Sequence, residues 1–87
     1  MPYAMVRHKV ADFAKWKASY EAHKAMRASA GIKEGHVLRN VDNPNEVVVF
    51  LEVTDLAKTR AFMTSPDLKA AMEQSGITDK PDVFLLQ

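Results

Sequence analysis

Residues 12–31 read DFAKWKASYEAHKAMRASAG, and this stretch predicts the single long amphipathic helix on which the rest of the fold depends. Asp12 can accept hydrogen bonds from the exposed amides of the first turn, as an N-cap does. Gly31 can end the helix in the left-handed conformation. At about 100° per residue, one arc of about 80° carries Phe13, Trp16, Tyr20, His23 and Arg27. We expect this arc to be buried, so the buried face begins aromatic and ends with an imidazole and a guanidinium.

The segment before the helix, YAMVRHKV at residues 3–10, alternates two sets of side chains as a β-strand does. The more apolar set, which we expect to face the helix, consists of Ala4, Val6, His8 and Val10. His8 then lies in the same layer as Trp16 and His23. A strand that starts at Tyr3 leaves no room for a signal or transit peptide, so we expect a cytoplasmic protein.

Two further strands, at residues 34–41 and 46–54, flank the sequence DNPN and predict a β-hairpin. Asx side chains bond to their own backbone and proline fixes φ, which is why such residues form turns. The run VVVFL at residues 47–51 is apolar without alternation, as in a strand that is covered on both faces. The second face of the sheet therefore needs a cover of its own.

The C-terminal part of the chain predicts a helix in two pieces. Asp55 caps the first piece, residues 56–63. Ser65 caps the second piece, which starts at Pro66 and ends at Gly76. The inner side of this second piece consists of Leu68, Ala71 and Met72.

A loop at residues 78–81 and an apolar strand at residues 83–86 complete the order β-α-β-β-α-β in one domain over residues 1–87. This order predicts an α+β, ferredoxin-like fold, in which a four-stranded antiparallel sheet carries both helices on one side. Two helices cover one face only, and each Å² of apolar surface left in water costs roughly 25 cal/mol. We therefore expect a homodimer in which the sheets of two subunits pack face to face.

Three segments resemble a known group of proteins: VRHKVADFAKWKASY, RNVDNPNEVVV and SPDLKAAMEQSGI. They are similar to small bacterial proteins of the dimeric α/β-barrel superfamily, alongside the antibiotic-biosynthesis-monooxygenase-like (ABM-like) domains. The resemblance implies ligand pockets between helices and sheet in each subunit. Superfamily relatives include cofactor-free oxygenases of aromatic substrates, haem-degrading enzymes, isomerases and proteins without known catalysis, so the fold does not choose the reaction. Haem-degrading relatives bind iron through a histidine of the second helix, and residues 56–75 contain none.

Composition narrows the classes of partner. Twelve basic and eleven acidic residues give a net charge of +1, and no basic patch is interleaved with aromatic residues, so we expect no nucleic-acid partner. No apolar run approaches a membrane span, so we expect no membrane partner. The lack of cysteine removes disulfides, thiolate metal sites and a cysteine nucleophile. A metal site needs three or four converging ligands, and the sequence predicts neither a metal nor another cofactor.

His23 and His8 are the candidate catalytic residues, as a general base and its partner, because imidazole titrates near physiological pH. The alternative is that each is a half-buried histidine whose ring is satisfied by a backbone carbonyl or a neighbouring side chain. His36 falls on an expected edge strand, where we expect it to be exposed.

Trp16, Tyr20 and Arg27 are the candidate ligand-binding residues. The two rings would either form the apolar walls of a pocket or belong to the core. Arg27 would either anchor a substrate carboxylate or enolate through a bidentate fork, or cap the last helix carbonyls and extend to solvent. Arg7 and Glu52 fall on central strands, where parity predicts the dimer-facing side and a structural ion pair across the interface. Catalysis by this pair is the alternative.

These features lead to one functional expectation and two alternatives. We expect a homodimeric small-molecule-binding protein that performs cofactor-independent monooxygenase-, isomerase- or cyclase-like chemistry on a small, aromatic or enolisable organic molecule. A non-catalytic ligand-binding or stress-related module with the same pocket is the first alternative. The second is a structural dimer with a filled core, which a cavity large enough for a ligand would exclude.

Overall fold

The computed structural model describes residues 2–78 and 80–87, without the side chain of Glu34. The elements follow in the order β1 (Tyr3–Lys9), α1 (Phe13–Ala22), α2 (Lys24–Ser29), β2 (Ile32–Arg39), β3 (Glu46–Val53), α3 (Leu56–Met63), α4 (Pro66–Gln74) and β4 (Asp82–Leu86). The strand order is β2-β3-β1-β4, and neighbouring strands are antiparallel. This is the ferredoxin-like arrangement, so the predicted fold class is confirmed.

The N-terminal helix is divided, so the prediction of one continuous helix over residues 12–31 is wrong. α1 and α2 meet at His23, whose φ is −97° and whose ψ is 16°. Two side chains take up carbonyls of the last turn of α1: the His23 ring binds the Ser19 oxygen, and Arg27 donates to the Tyr20 oxygen. Because side chains satisfy these carbonyls, α1 can end here without a glycine or a proline.

Both predicted ends of this helical region are confirmed. The Asp12 carboxylate accepts from the amide of Lys15 at 3.2 Å, which is an N-cap bond. Gly31 has a φ of +78°. A Cβ at Gly31 would also lie 2.8 Å from the Cβ of Asp55. Glycine is therefore required here by the backbone conformation and by the close approach of the α3 N-cap.

The ends of the strands lie within two residues of the predicted ones. β2 covers Ile32–Arg39 rather than residues 34–41, and β4 begins at Asp82 rather than at residue 83. The predicted loop at residues 78–81 precedes β4, but Asp79 lies outside the described residues. The predicted hairpin between β2 and β3 is present.

β2 contains a bulge between Lys33 and His36, where two residues of β2 lie opposite one residue of β3. A Cβ at Gly35 would lie 1.9 Å from the backbone oxygen of Phe50, so this close approach requires glycine. Beyond the bulge His36 pairs with Phe50. His36 and Leu38 therefore belong to the face of the sheet that points away from the helices.

The face toward the helices forms the core. Its buried side chains on the two central strands are Ala4, Val6, His8, Val47, Val49, Leu51 and Val53. The strand face that we expected against the helices is therefore the one that lies there. The opposite face, called the outer face below, has an apolar centre of half-buried and exposed side chains: Tyr3, Met5, Leu38, Val48, Phe50, Phe84 and Leu86.

Charged side chains flank this apolar centre at both ends of the strands. Arg7 forms ion pairs with Glu46 and, at 3.0 Å, with Asp82. The hydrogen bond and the negative charge of Glu46 raise the pKa of the Arg7 guanidinium above its ordinary value, so Arg7 stays charged. Glu52 pairs with Lys33 at 3.6 Å. Arg7 and Glu52 lie on the outer face as parity predicted, but each forms an ion pair with a neighbour in its own chain.

Candidate functional site

A cavity of about 90 Å³, partly open to solvent, lies between the helices and the inner face of the sheet. One wall, called the α1–α2 wall, consists of Trp16, Ser19, Tyr20, His23, Met26 and Arg27. The facing wall, called the α3–α4 wall, consists of Phe62, Met63, Leu68, Ala71 and Met72. His8 lines the cavity from the sheet. All five residues singled out from the sequence thus border this one space, although their roles stay predictions.

Three aromatic side chains of α1 form a continuous row along the α1–α2 wall. The ring centroids of Phe13 and Trp16 are 5.8 Å apart, and those of Trp16 and Tyr20 are 5.1 Å apart in a stacked arrangement. The His8 ring lies 5.3 Å from Trp16. Such ring contacts stabilise beyond the area they bury, by about 0.5–1.5 kcal/mol for each aromatic pair. The row therefore fixes the position of the Trp16 ring in the wall.

The break between α1 and α2 fixes the orientation of the His23 ring. Its Nδ1 atom lies 2.7 Å from the backbone oxygen of Ser19. A carbonyl oxygen can only accept, so Nδ1 carries the proton in the neutral ring and Nε2 is left with the lone pair. His23 is half-buried and lines the cavity. A neutral imidazole in this tautomer has the chemistry of a proton acceptor.

Arg27 serves as a structural cap in this structure. Its guanidinium donates to the Tyr20 carbonyl and stacks on the Tyr20 ring, with the Cζ atom 3.7 Å from the ring centroid. The geometry therefore supports the capping alternative. The carbonyl that Arg27 caps belongs to Tyr20 in α1, whereas Arg27 itself lies in α2. The prediction that the side chain extends to solvent is wrong, because Arg27 is only 7% exposed. The stack on Tyr20 holds the guanidinium against the wall instead.

The other two histidines differ sharply in exposure. His8 is 3% exposed and packs against Trp16 from the sheet side of the cavity. His36 is exposed on edge strand β2, as predicted. Only His8 and His23 therefore come together at the cavity.

No residue of the α3–α4 wall is assigned to the site from the sequence alone. Leu68, Ala71 and Met72 were assigned to the inner side of the helix, and they do lie there, but they border open space as well as core. α4 contributes no fully buried side chain. Three cavity residues are methionines: Met26, Met63 and Met72. This clustering was the available signal, since methionine adapts to irregular or changing cavities.

Two kinds of site are not found in the part of the chain that the structure describes. Over residues 2–78 and 80–87, no three histidine, cysteine, aspartate or glutamate side chains converge as metal ligands would. No helix within the same residues has the length and apolar character needed to cross a bilayer. The cavity itself has the character of a ligand site, because it is concave and combines apolar side chains with a few polar groups.

Comparison with known proteins identifies the fold. No family model and no curated protein matches the sequence. Among solved structures, SnoaB, a cofactor-independent oxygenase from Streptomyces nogalater, is 20% identical over 95% of this chain and 89% of its own, with a TM-score of 0.70. A Bordetella bronchiseptica protein, named provisionally as an antibiotic biosynthesis monooxygenase, is 14% identical over 99% of this chain and 94% of its own, with a TM-score of 0.80.

A third structure, of a conserved Methanosarcina mazei protein whose name states no activity, is 12% identical over 99% of this chain and 90% of its own, with a TM-score of 0.63. At such identities the similarity establishes the fold alone. The chain therefore has the ferredoxin-like fold of the ABM-like domains that its sequence resembles, and the activity has to be argued from the cavity.

Proposed function

We propose that this chain forms a homodimer with one small-molecule site in the cavity of each subunit, and that His23 acts there as a general base in cofactor-independent chemistry. The observation that carries the proposal is the contact between His23 Nδ1 and the Ser19 oxygen, which leaves Nε2 as the basic nitrogen of the neutral ring. A base held in one tautomer at the edge of a cavity needs no rearrangement before it accepts a proton.

The substrate that suits this wall is an enolisable or phenolic aromatic molecule. Trp16 and Tyr20 offer apolar ring surface next to His23. Removal of a C–H or O–H proton by His23 would give an enolate or phenolate, and His8 would border the same space from the sheet. In an oxygenase reaction, that electron-rich anion supplies the electrons to O₂, so the chemistry requires no flavin and no metal. The similarity to the fold of SnoaB, a cofactor-independent oxygenase, supports this class of reaction.

The test of His23 is proton exchange, which reports base chemistry whether or not O₂ reacts. A panel of enolisable aromatic ketones is incubated with the protein in D₂O, and the loss of α-proton signal is followed by NMR. We expect His23→Gln to slow exchange by about 100-fold or more, because a positioned general base contributes about 10²–10⁴-fold. Binding, measured through the fluorescence of the single tryptophan, Trp16, should change by less than about threefold.

Two variants serve as controls in the same assay. His36→Gln removes an exposed imidazole on the outer face and should leave exchange unchanged. His8→Gln discriminates between the two cavity histidines, since a loss of exchange in this variant alone would make His8 the base. Ketones that bind to the wild-type protein without any exchange would contradict the catalytic proposal and establish the non-catalytic binding module instead.

The homodimer is proposed from the composition of the outer face. Its apolar centre leaves Leu38, Phe84 and Leu86 between 41% and 55% exposed in a single chain. The charged pairs of Arg7 and Lys33 lie toward the two ends of the strands around this centre. An apolar centre with a charged rim is the usual anatomy of a protein interface. A second copy of the same face would cover the apolar centre.

Sedimentation equilibrium tests the dimer. The wild-type protein should sediment as a dimer at micromolar concentration. Phe50→Asp places a charge at the middle of the outer face and should give monomers or unfold the chain, because an unpaired charge cannot be buried cheaply. Ala57→Asp, an exposed position on α3, controls for added charge and should stay dimeric. A monomeric wild-type protein would contradict the proposed assembly but not the chemistry of the cavity.

A further inference from the structure

Helix α4 covers the cavity with half-buried side chains, of which Met72 packs against the core. None of its side chains is fully buried, although Leu68, Ala71 and Met72 face inward. By contrast, Trp16 on the facing wall is 3% exposed. A helix that buries little apolar surface has a low free energy of local displacement. α4 is therefore the side on which the cavity can most easily change its volume.

A second, more open space lies on the other side of this helix. It is a groove between α4 and β4, and its lining includes Pro66, Pro81 and Val83. Four residues border both the cavity and the groove: Met63, Leu68, Met72 and Ile77. These four side chains, called the partition below, separate the two spaces. Each member of the partition borders both spaces, and two of the members are methionines, the most adaptable apolar side chains.

The cavity is too small to enclose a ring-sized ligand unless a wall moves. An apolar cavity of about 150 Å³ is known to accommodate benzene. The cavity between helices and sheet measures about 90 Å³, so even one aromatic ring needs additional room. The α1–α2 wall is held by the aromatic row and by the Arg27 contacts with Tyr20. The wall that can supply additional volume is therefore the one that contains the partition, and displacing the partition opens the cavity into the groove.

We propose that one ligand occupies both spaces, with an aromatic end in the cavity and an apolar tail that passes the displaced partition into the groove. Met72 and Met63 then determine the longest tail that the site accepts. This inference rests on the proposed function in one respect, namely that the cavity binds a small molecule. The ligand is thus an elongated amphiphile rather than a compact ring. Lys69, Glu73 and Lys80 line the groove and suit a polar group at the far end of the tail.

Binding of a homologous series tests the proposal. The probes are 4-alkylphenols whose chains increase from methyl to octyl, and Kd is measured by Trp16 fluorescence and by calorimetry. Each methylene that enters an apolar space should tighten binding about fourfold, the factor equivalent to about 0.8 kcal/mol per buried CH₂. In the wild-type protein, the gain in affinity should stop at the alkyl chain length that fills the cavity and the groove, and this length is called the end point below. Met72→Ala should move this end point to longer chains by at least two methylenes.

Met26→Ala is the matched control for this variant. Met26 lines the cavity but not the groove, so its truncation enlarges the cavity by the same side-chain volume on the opposite wall. We expect Met26→Ala to tighten binding of the short probes and to leave the end point unchanged. Met72→Phe is the reverse test, because a bulkier and stiffer ring in the partition should move the end point to shorter chains. Met72→Phe leaves no new empty space in the protein, so it still tests the proposal if Met72→Ala does not fold.

The possible outcomes separate the two proposals. Equal end points for the wild type, Met72→Ala and Met72→Phe would overturn the role of the partition, while exchange catalysed by His23 would stand. An end point that moves equally in Met26→Ala and Met72→Ala would also overturn it, because cavity volume alone would then set the length. Absence of binding by every probe would overturn this inference together with the cavity as a ligand site.

Discussion

The two walls of the cavity come from the same kind of element, a helix in two pieces, yet they are built differently. The α1–α2 wall is fixed by specific contacts: stacked rings, a guanidinium held on the Tyr20 ring, and two side chains bound to backbone carbonyls. On the α3–α4 side, the buried hydroxyl of Thr59 donates to the Ala30 oxygen at 2.9 Å, and the hydroxyl of Ser75, directly after α4, donates to the Met72 oxygen at 2.8 Å. α4 has no fully buried side chain at all.

This difference assigns separate tasks to the two walls. Proton transfer needs a base whose position is fixed by its surroundings, which the α1–α2 wall provides for His23. Adjustment to the size of a ligand needs a surface that moves at little cost, which α4 provides. A small chain can combine a movable α4 with a fixed α1–α2 wall because the same sheet supports both walls.

Trp16→Ala should have the largest effect on this comparison. The substitution removes the centre of the aromatic row and a side chain that is 3% exposed. We expect it to lower the free energy of unfolding by about 3–5 kcal/mol, as truncation of large buried aromatics does. Urea denaturation followed by circular dichroism measures the change. A loss below about 1.5 kcal/mol would mean that the α1–α2 wall is no better anchored than the facing one.

Arg27→Met should have an intermediate effect. The substitution keeps an unbranched side chain but removes the bond to the Tyr20 carbonyl and the stack on its ring. Hydrogen bonds from charged groups contribute about 1.5–3 kcal/mol, so we expect a loss of about 2 kcal/mol in the free energy of unfolding. Arg39→Met is the matched control, because Arg39 stacks on Phe13 at 3.9 Å but is exposed.

An exposed cation–π contact contributes about 0.5–1 kcal/mol. Arg39 Nε also donates to the Pro44 oxygen at 2.9 Å, in an exposed position where such a bond adds little, so the control variant should lose about 1 kcal/mol. Equal losses in Arg27→Met and Arg39→Met, measured by urea denaturation, would show that burial of the guanidinium adds nothing to the wall. In that case the break between α1 and α2 would have another cause.

Leu68→Ala should have the smallest effect of the three, about 1 kcal/mol or less in the free energy of unfolding. Leu68 is half-buried on α4 and borders open space, so its truncation removes few packed contacts. Leu51→Ala, at a site 3% exposed, should cost about 2–5 kcal/mol by the same denaturation measurement. Similar losses at the two leucines would mean that α4 is anchored as firmly as the core.

Local sequence signals were sufficient for the element order and for the faces of the elements. Asp12 and Gly31 mark helix ends by their own chemistry, and the alternation in β1 decides which side chains meet the helices. These features depend on neighbours a few residues apart, so sequence alone can predict them.

The break at His23 could not be predicted in the same way. No glycine or proline marks it, and it depends on where the Arg27 and His23 side chains point once the helix packs on the sheet. The looseness of α4 was equally hidden, because its inner residues have the pattern of a buried face and only the packed structure leaves space beneath them. The five candidate residues were found because one helical arc and one strand parity place them together.

The bulge in β2 also determines which changes of length the gene for this hairpin can tolerate. A gene that lost one codon between Lys33 and His36 would leave one residue opposite one residue of β3, so the bulge would disappear while His36 and Leu38 still pointed outward and Val37 inward. The loss of a second codon there would turn Val37 outward and direct His36 and Leu38 at the helices, because strand side chains alternate. We expect selection to tolerate the first deletion more readily than the second.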